Sequence, residues 1–308
     1  MLPTSGAPRW RFSDLDTAIF RGVQRLLLKT LGALGRGLRK TPIVRWRWLG
    51  RLYDRLAVRL GRTESVTVGP FRVFLDPRDQ VIAKKLILYG GFETREIELL
   101  CSYVKPGDCV LDVGANIGLY SLALSRAVGP TGKVIAVEPD PDNLALLKRN
   151  LQHNGCTNVT VLEEALGDAA GNVLLYESEE NRGALSTADI LGVGSESAIP
   201  VPMRRGDAVL AELGVTVEVV KIDVEGAEPR VIAGLGERLP RVLLFEFVPW
   251  QLRVAGHDPV TFLRSLTAAG YGLAVVDPDT GQHTPMTEEQ VHEAIAAART
   301  DRNILALR

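Results

Sequence analysis

Three carboxylates crowd one glycine in Lys221-Ile222-Asp223-Val224-Glu225-Gly226-Ala227-Glu228, directly after the apolar Val219-Val220. A strand that carries a lysine and ends in acids puts charge at the carboxyl end of a sheet, where open α/β folds bind ligands. The next apolar run, Val242 to Phe247, holds Glu246 inside it. Adjacent strands lie about 4.8 Å apart, so Asp223 and Glu246 can converge on one small volume. Carboxylates placed this way can orient a hydroxyl and take its proton. The alternative is a structural ion pair such as Lys221 with Glu246, because an unpaired buried carboxylate is costly. The same two acids offer hard oxygen ligands, but no dedicated D-x-D site accompanies them, and no metal is expected.

A second constellation is Val110-Leu111-Asp112-Val113-Gly114-Ala115-Asn116-Ile117-Gly118, followed twenty residues later by Glu138 at the end of Val134 to Val137. This is the layout of the first β-α-β unit of a nucleoside-binding sheet. Gly114 and Gly118 are expected to let the backbone approach a ligand, and Glu138 to accept hydrogen bonds from both ribose hydroxyls. The loop lacks the middle glycine of G-x-G-x-x-G that admits a pyrophosphate, and there is no Walker lysine loop. Asp112 before the turn suits a cationic ligand end. S-adenosylmethionine, with its ribose and its amino group, fits both ends of such a site, and NAD fits poorly.

What must position these residues is an alternating chain. Strands are expected near 109–113, 134–138, 159–163, 172–177, 218–223, 241–247, 271–276 and 303–307, with helices near 118–127, 141–153, 207–213, 228–234, 259–269 and 288–299. Thr287 with Gln290 forms a capping box for the last of these. Such alternation implies α/β architecture with a doubly wound sheet. Residues 65–76 read as a β-hairpin around Gly69-Pro70, residues 94–103 as a helix, and residues 192–202 as a loop.

The composition, 46% hydrophobic and 24% charged over 308 residues, suits one large soluble domain with an appendage. Cys101, Cys109 and Cys156 show no paired spacing, consistent with reduced thiols and a cytoplasmic protein. No signal peptide and no membrane-spanning run is read. The net charge of −1 hides a segregation: residues 1–62 hold fourteen Lys+Arg against three acids, a balance of +11, which leaves −12 for residues 63–308. The first segment is expected to form basic amphipathic helices, with Arg47, Arg51, Arg55 and Arg59 in a stripe beside Leu49, Leu52, Leu56 and Leu60. Residues 13–60 suit an anionic membrane surface, which would make the protein peripheral at the inner face of the membrane. They also suit, and in the first instance, a cap whose leucines dock on the acidic body or on a second copy in a homodimer, an arrangement many enzymes carry. Nucleic acid is the weakest partner, since the rest of the chain is acidic.

The Asp112-to-Gly118 loop, Val137-Glu138-Pro139 and the Lys221-to-Glu228 octet together resemble the FkbM family of S-adenosylmethionine-dependent methyltransferases. The similarity covers residues 87–308, including Gly91-Phe92-Glu93, Ala165-Leu166-Gly167-Asp168 and Asn303-Ile304-Leu305, and leaves out residues 1–62. It implies a class I, Rossmann-like seven-stranded sheet with an antiparallel last strand, and O-methylation of hydroxyls on sugars or polyketides. It further implies that Asp112, Gly114, Asn116 and Gly118 hold the methionine and ribose side of the cofactor, that Glu164, Ala165 and Leu166 border adenine, and that Glu93 helps hold the amino group. Asp223 becomes the first candidate for acceptor positioning or base, with Glu225, Glu228 and Glu246 behind it. His257, beside Asp258, is a further base candidate. Two other readings are a nucleic-acid methyltransferase, which would carry an Asn-Pro-Pro-Tyr-like motif where Asp223-Val224-Glu225-Gly226 stands, and a non-catalytic adaptor that keeps the fold.

Overall fold

A computed structural model describes residues 64–76, 79, 81–177, 185–186, 198–287 and 302–308. The basic segment 1–62 and the last expected helix, 288–299, lie outside the described residues.

The main sheet is built from β3 (Cys109–Val113), β4 (Lys133–Val137), β5 (Val159–Leu162), β10 (Val219–Ile222), β11 (Val242–Phe247), β12 (Gly272–Val276), β13 (His283–Pro285) and β14 (Arg302–Leu307). Their order is β13-β12-β14-β11-β10-β3-β4-β5. β5, β4, β3, β10 and β11 run parallel, and β14 enters antiparallel between β11 and β12. Without β13, this is the third-second-first-fourth-fifth-seventh-sixth order of class I methyltransferases. The seven expected strands are all present, and β13 adds a short hairpin strand to β12 at the edge. Every residue of β3 is buried, as a central parallel strand covered on both faces requires.

Helices cover both faces. On one, α5 (Gly206–Glu212), α6 (Glu228–Gly234) and α8 (Pro259–Ala268) pack Leu210, Val231 and Leu263 against Leu111, Val220 and Phe245. On the other, α2 (Thr94–Tyr103) and α3 (Leu119–Val128) bury Leu100 and Leu124 against Val110, Val219 and Leu244. There too the hairpin of β1 (Ser65–Val68) and β2 (Phe71–Phe74) packs with α1 (Ile82–Tyr89) and α4 (Pro141–His153) around Val73, Leu86 and Leu147.

A second sheet was not foreseen. β6 (Ala165–Gly167), β7 (Gly171–Glu177), β8 (Leu185–Ser186) and β9 (Ala198–Arg205) form it in the order β6-β9-β7-β8. The run 172–177, expected in the main sheet, is β7, and its alternation explains the placement: Leu175 is buried while Leu174 is exposed, the signature of a strand covered on one face only. The end of the expected loop 192–202 is β9, disguised by Pro200 and Pro202. β6 pairs only with Met203 to Arg205, so at both prolines β9 is an edge on that side and their missing N–H groups remove no ladder bond.

α1 was also missed. Its N-terminus is served from a distance: the Asp79 carboxylate accepts the N–H groups of Val81, Ile82 and Ala83 at 2.8, 3.3 and 3.0 Å. Among the described residues no helix is long and apolar enough to cross a membrane.

Candidate active site

Winding reverses between β3 and β10, and the loops that leave these two strands meet at the floor of a cavity of about 840 Å³. They touch directly. A Cβ on Gly114, whose φ is +75°, would lie 1.9 Å from the Asp223 carbonyl oxygen. Gly114 is bare for this crossing, and it also lines the cavity wall, where the missing Cβ leaves the backbone open to a ligand. Gly118, at φ +93°, is bare for helix packing, since its Cβ would sit 2.6 Å from Leu147 Cδ1. Gly118 does not line the cavity, so its expected place at the ligand is corrected: close chain crossings need glycine as much as ligands do.

Asp112 is corrected in the same way. Its side chain is fully buried and absent from the cavity wall, accepting the Ser121 hydroxyl at 2.6 Å. Its other neighbour is Lys221, whose Nζ lies 3.9 Å from Asp112 Oδ1, 3.4 Å from Asp223 Oδ2 and 3.1 Å from the Gly114 carbonyl it donates to. The ammonium also sits 4.8 Å from the centre of the Tyr120 ring. Burial alone would depress this lysine, but Asp223, Asp112 and Glu93 outweigh it and hold its pKa above the usual lysine range. Lys221 thus pairs with Asp112 and Asp223, not with Glu246.

Glu138 and Asn116 do line the cavity. Asn116 takes a left-handed φ of +52°, which turns its N–H onto Glu138 Oε2 at 2.7 Å, while Asp140 N–H reaches Oε1 at 3.0 Å. Each oxygen keeps a lone pair for a ligand hydroxyl. Burial nevertheless pushes Glu138 up to about 7. Ala165, Leu166 and Glu164 line the adjoining wall, where burial raises Glu164. Glu93, also left-handed at φ +49°, enters from the start of α2; burial and then Asp223 push it up to about 7, against a hydrogen bond from Tyr120.

Across the crossing from Glu138, the carboxyl oxygens of Asp223, Glu225 and Glu246 lie within 4.8 Å of one another, close enough to share a cation. Glu246 Oε2 is buried without a hydrogen-bond partner, and burial followed by Asp223 raises its pKa well above the ordinary value. Two expected residues stand apart. Glu228 is buried outside the cavity wall, where its Oε1 accepts the N–H groups of Val224 and Gly226 at 3.1 and 3.2 Å and so shapes the loop that presents Asp223. His257 is absent from the wall and sits in the field of Arg230 and Asp168, with burial lowering its pKa. Residues missed by sequence reading are Tyr120, Trp250 and Gln251, all in the wall. The last two begin α7 (Pro249–Val254), directly after β11. Their position just past the strand that carries Glu246 was the available signal.

The donor set fits S-adenosylmethionine. A buried carboxyl with backbone-ordered oxygens suits a ribose, Leu166 and Leu175 give apolar wall, and the carboxyls of Glu93 and Asp223 suit a molecule carrying a sulfonium and an ammonium.

The methyltransferase FkbM domain matches residues 112–271. Methyltransferase sdnD of Sordaria araneosa is 31% identical over 158 residues, 42% of this chain and 60% of that protein, so the chain spans less than two thirds of it. Hexuronic acid methyltransferase AglP of Haloferax volcanii is 30% identical over 175 residues, 56% of this chain and 67% of AglP. The 31-O-demethyl-FK506 methyltransferase FkbM of Streptomyces tacrolimicus is 29% identical over 229 residues, 64% of this chain and 83% of its own. With strand order, cavity and matched residues in agreement, the chain belongs to the FkbM family of S-adenosylmethionine-dependent methyltransferases.

Proposed function

We propose that this protein methylates an oxygen, the hydroxyl of a sugar, a glycan or a polyketide-type small molecule. The observation that carries this reading is the convergence of Asp223, Glu225 and Glu246 beyond the nucleoside end of the cavity. S-adenosylmethionine supplies a methyl group on a sulfonium, a leaving group that needs no protonation. What remains for the protein is to orient the acceptor and remove its proton. Glu138 holds the ribose, Ala165 and Leu166 flank the base with Glu164 at its edge, and Asn116 and Glu93 bracket the methionine half. Asp223, fixed by Lys221 at 3.4 Å and by its own N–H on Val113 O at 3.1 Å, accepts the hydroxyl proton on a carboxylate oxygen. Burial, followed by Asp223, pushes the Glu246 carboxyl toward its protonated form, which can donate a hydrogen bond to the acceptor. Names of relatives support the substrate class: one acts on a hexuronic acid and one on demethyl-FK506.

Asp223→Asn tests the assignment, because the amide keeps the shape and loses the basicity. Turnover of a labelled methyl group onto a hydroxyl acceptor is expected to fall by roughly 10²–10⁴, the usual worth of general-base catalysis. Calorimetric affinity for the cofactor should stay within a few fold. A variant as fast as its parent would return Asp223 to a structural role.

A further inference from the structure

Resting on that reading, we infer that Asp223, Glu225 and Glu246 bind a divalent cation of the Mg²⁺ or Mn²⁺ class, which holds the acceptor oxygen. β10 and β11 are adjacent and parallel with Ile222 opposite Phe245, so the next residues, Asp223 and Glu246, stand side by side at the carboxyl end of the sheet. Glu225 joins them from the loop after β10, and one carboxyl oxygen of each lies within 4.8 Å of the others. Clustered carboxylates alone do not make a site. What sets these apart is a buried amide pressed against them. Gln251 is 7% exposed; its nitrogen donates to Glu225 Oε2, which puts the head group at the cluster and leaves its carbonyl Oε1 without a partner. Glu246 Oε2 is likewise buried without a partner. Buried acceptors left unmade are costly, and one cation answers both.

The cations of the wall do not fill this role. Lys221 lies 3.4 Å from Asp223 Oδ2 but is shared with Asp112 and the Gly114 carbonyl, and Arg302 of β14 is already engaged. With both in place, Glu246 Oε2 still has no partner. Three carboxylates less one ammonium leave two negative charges, the charge of the proposed ion. The donors are all oxygen, which selects a hard cation over zinc. Entry is from the cavity, since all three acids and Gln251 line it and the Asp223 side chain is 32% exposed. The frame is tightly built: a Cβ on Gly226, at φ +99°, would lie 3.1 Å from the Gln251 carbonyl oxygen. An ion of this class keeps positions for oxygens from outside the protein, and the side open to the cavity is where an acceptor hydroxyl enters. The ion replaces the Glu246 proton in holding that oxygen and makes the hydroxyl more acidic. Asp223, with two oxygens, offers one to the ion and one to the hydroxyl proton.

The test uses the full chain, stripped with EDTA and loaded with S-adenosylhomocysteine, with Mn²⁺ as the probe followed by electron paramagnetic resonance. A single Mn²⁺ should bind per chain, and Mg²⁺ should displace it. Glu225→Gln and Glu246→Gln should each weaken Mn²⁺ by about tenfold or more, and Gln251→Leu by about tenfold, the usual loss when a group that orients a ligand is removed. Cofactor affinity within a few fold of the parent shows that each variant is folded. EDTA should abolish methyl transfer to a hydroxyl acceptor, and Mg²⁺ should restore it. No Mn²⁺ bound at about 1 mM, the weak end for carboxylate sites, or parental Mn²⁺ affinity in both Glu225→Gln and Glu246→Gln would overturn the inference. Transfer to a hydroxyl that ignores EDTA would also overturn it, and would leave the O-methylation reading standing. Cation binding with transfer only to nitrogen or carbon would keep the cation site and overturn that reading.

Discussion

Glu138 takes one backbone N–H on each oxygen, yet burial still holds it near 7, and Glu93 titrates in the same range. Both carboxyls are thus partly neutral at physiological pH and ionise fully only above it. A cationic ligand with ribose donors binds the ionised forms better, so its binding should release protons. The sign follows: affinity for S-adenosylmethionine should rise with pH through 7, and fall by about tenfold per unit below 7 for each proton released. Glu138→Ala should cost roughly 1.5–3 kcal/mol, the worth of a hydrogen bond to a charged group, or about ten- to hundredfold in affinity, and should flatten the pH slope. Calorimetry in buffers of different ionisation enthalpy reads both. An unchanged dissociation constant would remove Glu138 from the site. The place of Glu138 was legible from sequence, because the carboxyl end of a strand twenty residues after the glycine loop leaves few alternatives. That of Asp112 was not. Its sequence position is equally apt, but the partner that turns it inward, Lys221, lies more than a hundred residues away.

Helices and strands that repeat a simple period were readable, and those whose signal is divided were not. β3, β4, β10 and β11 are apolar runs that each carry a single charged residue, and α4 announces itself with Asp140 capping Asn143 N–H and proline at its first turn. The second sheet hides because proline interrupts β9, and α1 because its capping group lies outside the helix at Asp79. The loop after β10 shows how an element can depend on one residue misread as a ligand. Glu228 is buried, accepts two loop amides, and burial pushes it up to about 7 from 4.5. A carboxyl whose folded pKa is raised favours the fold while neutral, and that advantage is lost as pH climbs from about 4.5 through 7. Glu228→Gln keeps an acceptor for Val224 and Gly226 and does not titrate. The difference in Tm, variant minus parent, should therefore increase between pH 5 and pH 8. Other raised carboxyls are common to both proteins and cancel. Equal differences at the two pH values would show that Glu228 ionises freely in the fold.

Across the whole molecule the charge is divided, +11 in residues 1–62 and −12 in the remainder, and this division has two physical outlets. The arginines can neutralise the acidic body from within, or they can meet an external anionic surface and leave the body's charge to its cavity. If residues 13–60 lie on lipid, each arginine near the surface contributes about 1 kcal/mol, and the attraction is screened over a Debye length of about 8 Å at physiological salt. Replacing Arg47, Arg51, Arg55 and Arg59 with Gln should then release the protein from phosphatidylserine-containing vesicles, and high salt should mimic the substitution. Cofactor affinity should not change, because the cavity is assembled from residues 81–303. A docked cap makes different demands. Its leucines would be buried against the body or a second copy, so removing residues 1–62 would expose apolar surface and cause aggregation, while vesicles would be ignored at any salt. Co-sedimentation of the intact chain at low ionic strength separates the two, and a protein that stays in the supernatant with anionic vesicles removes the membrane reading.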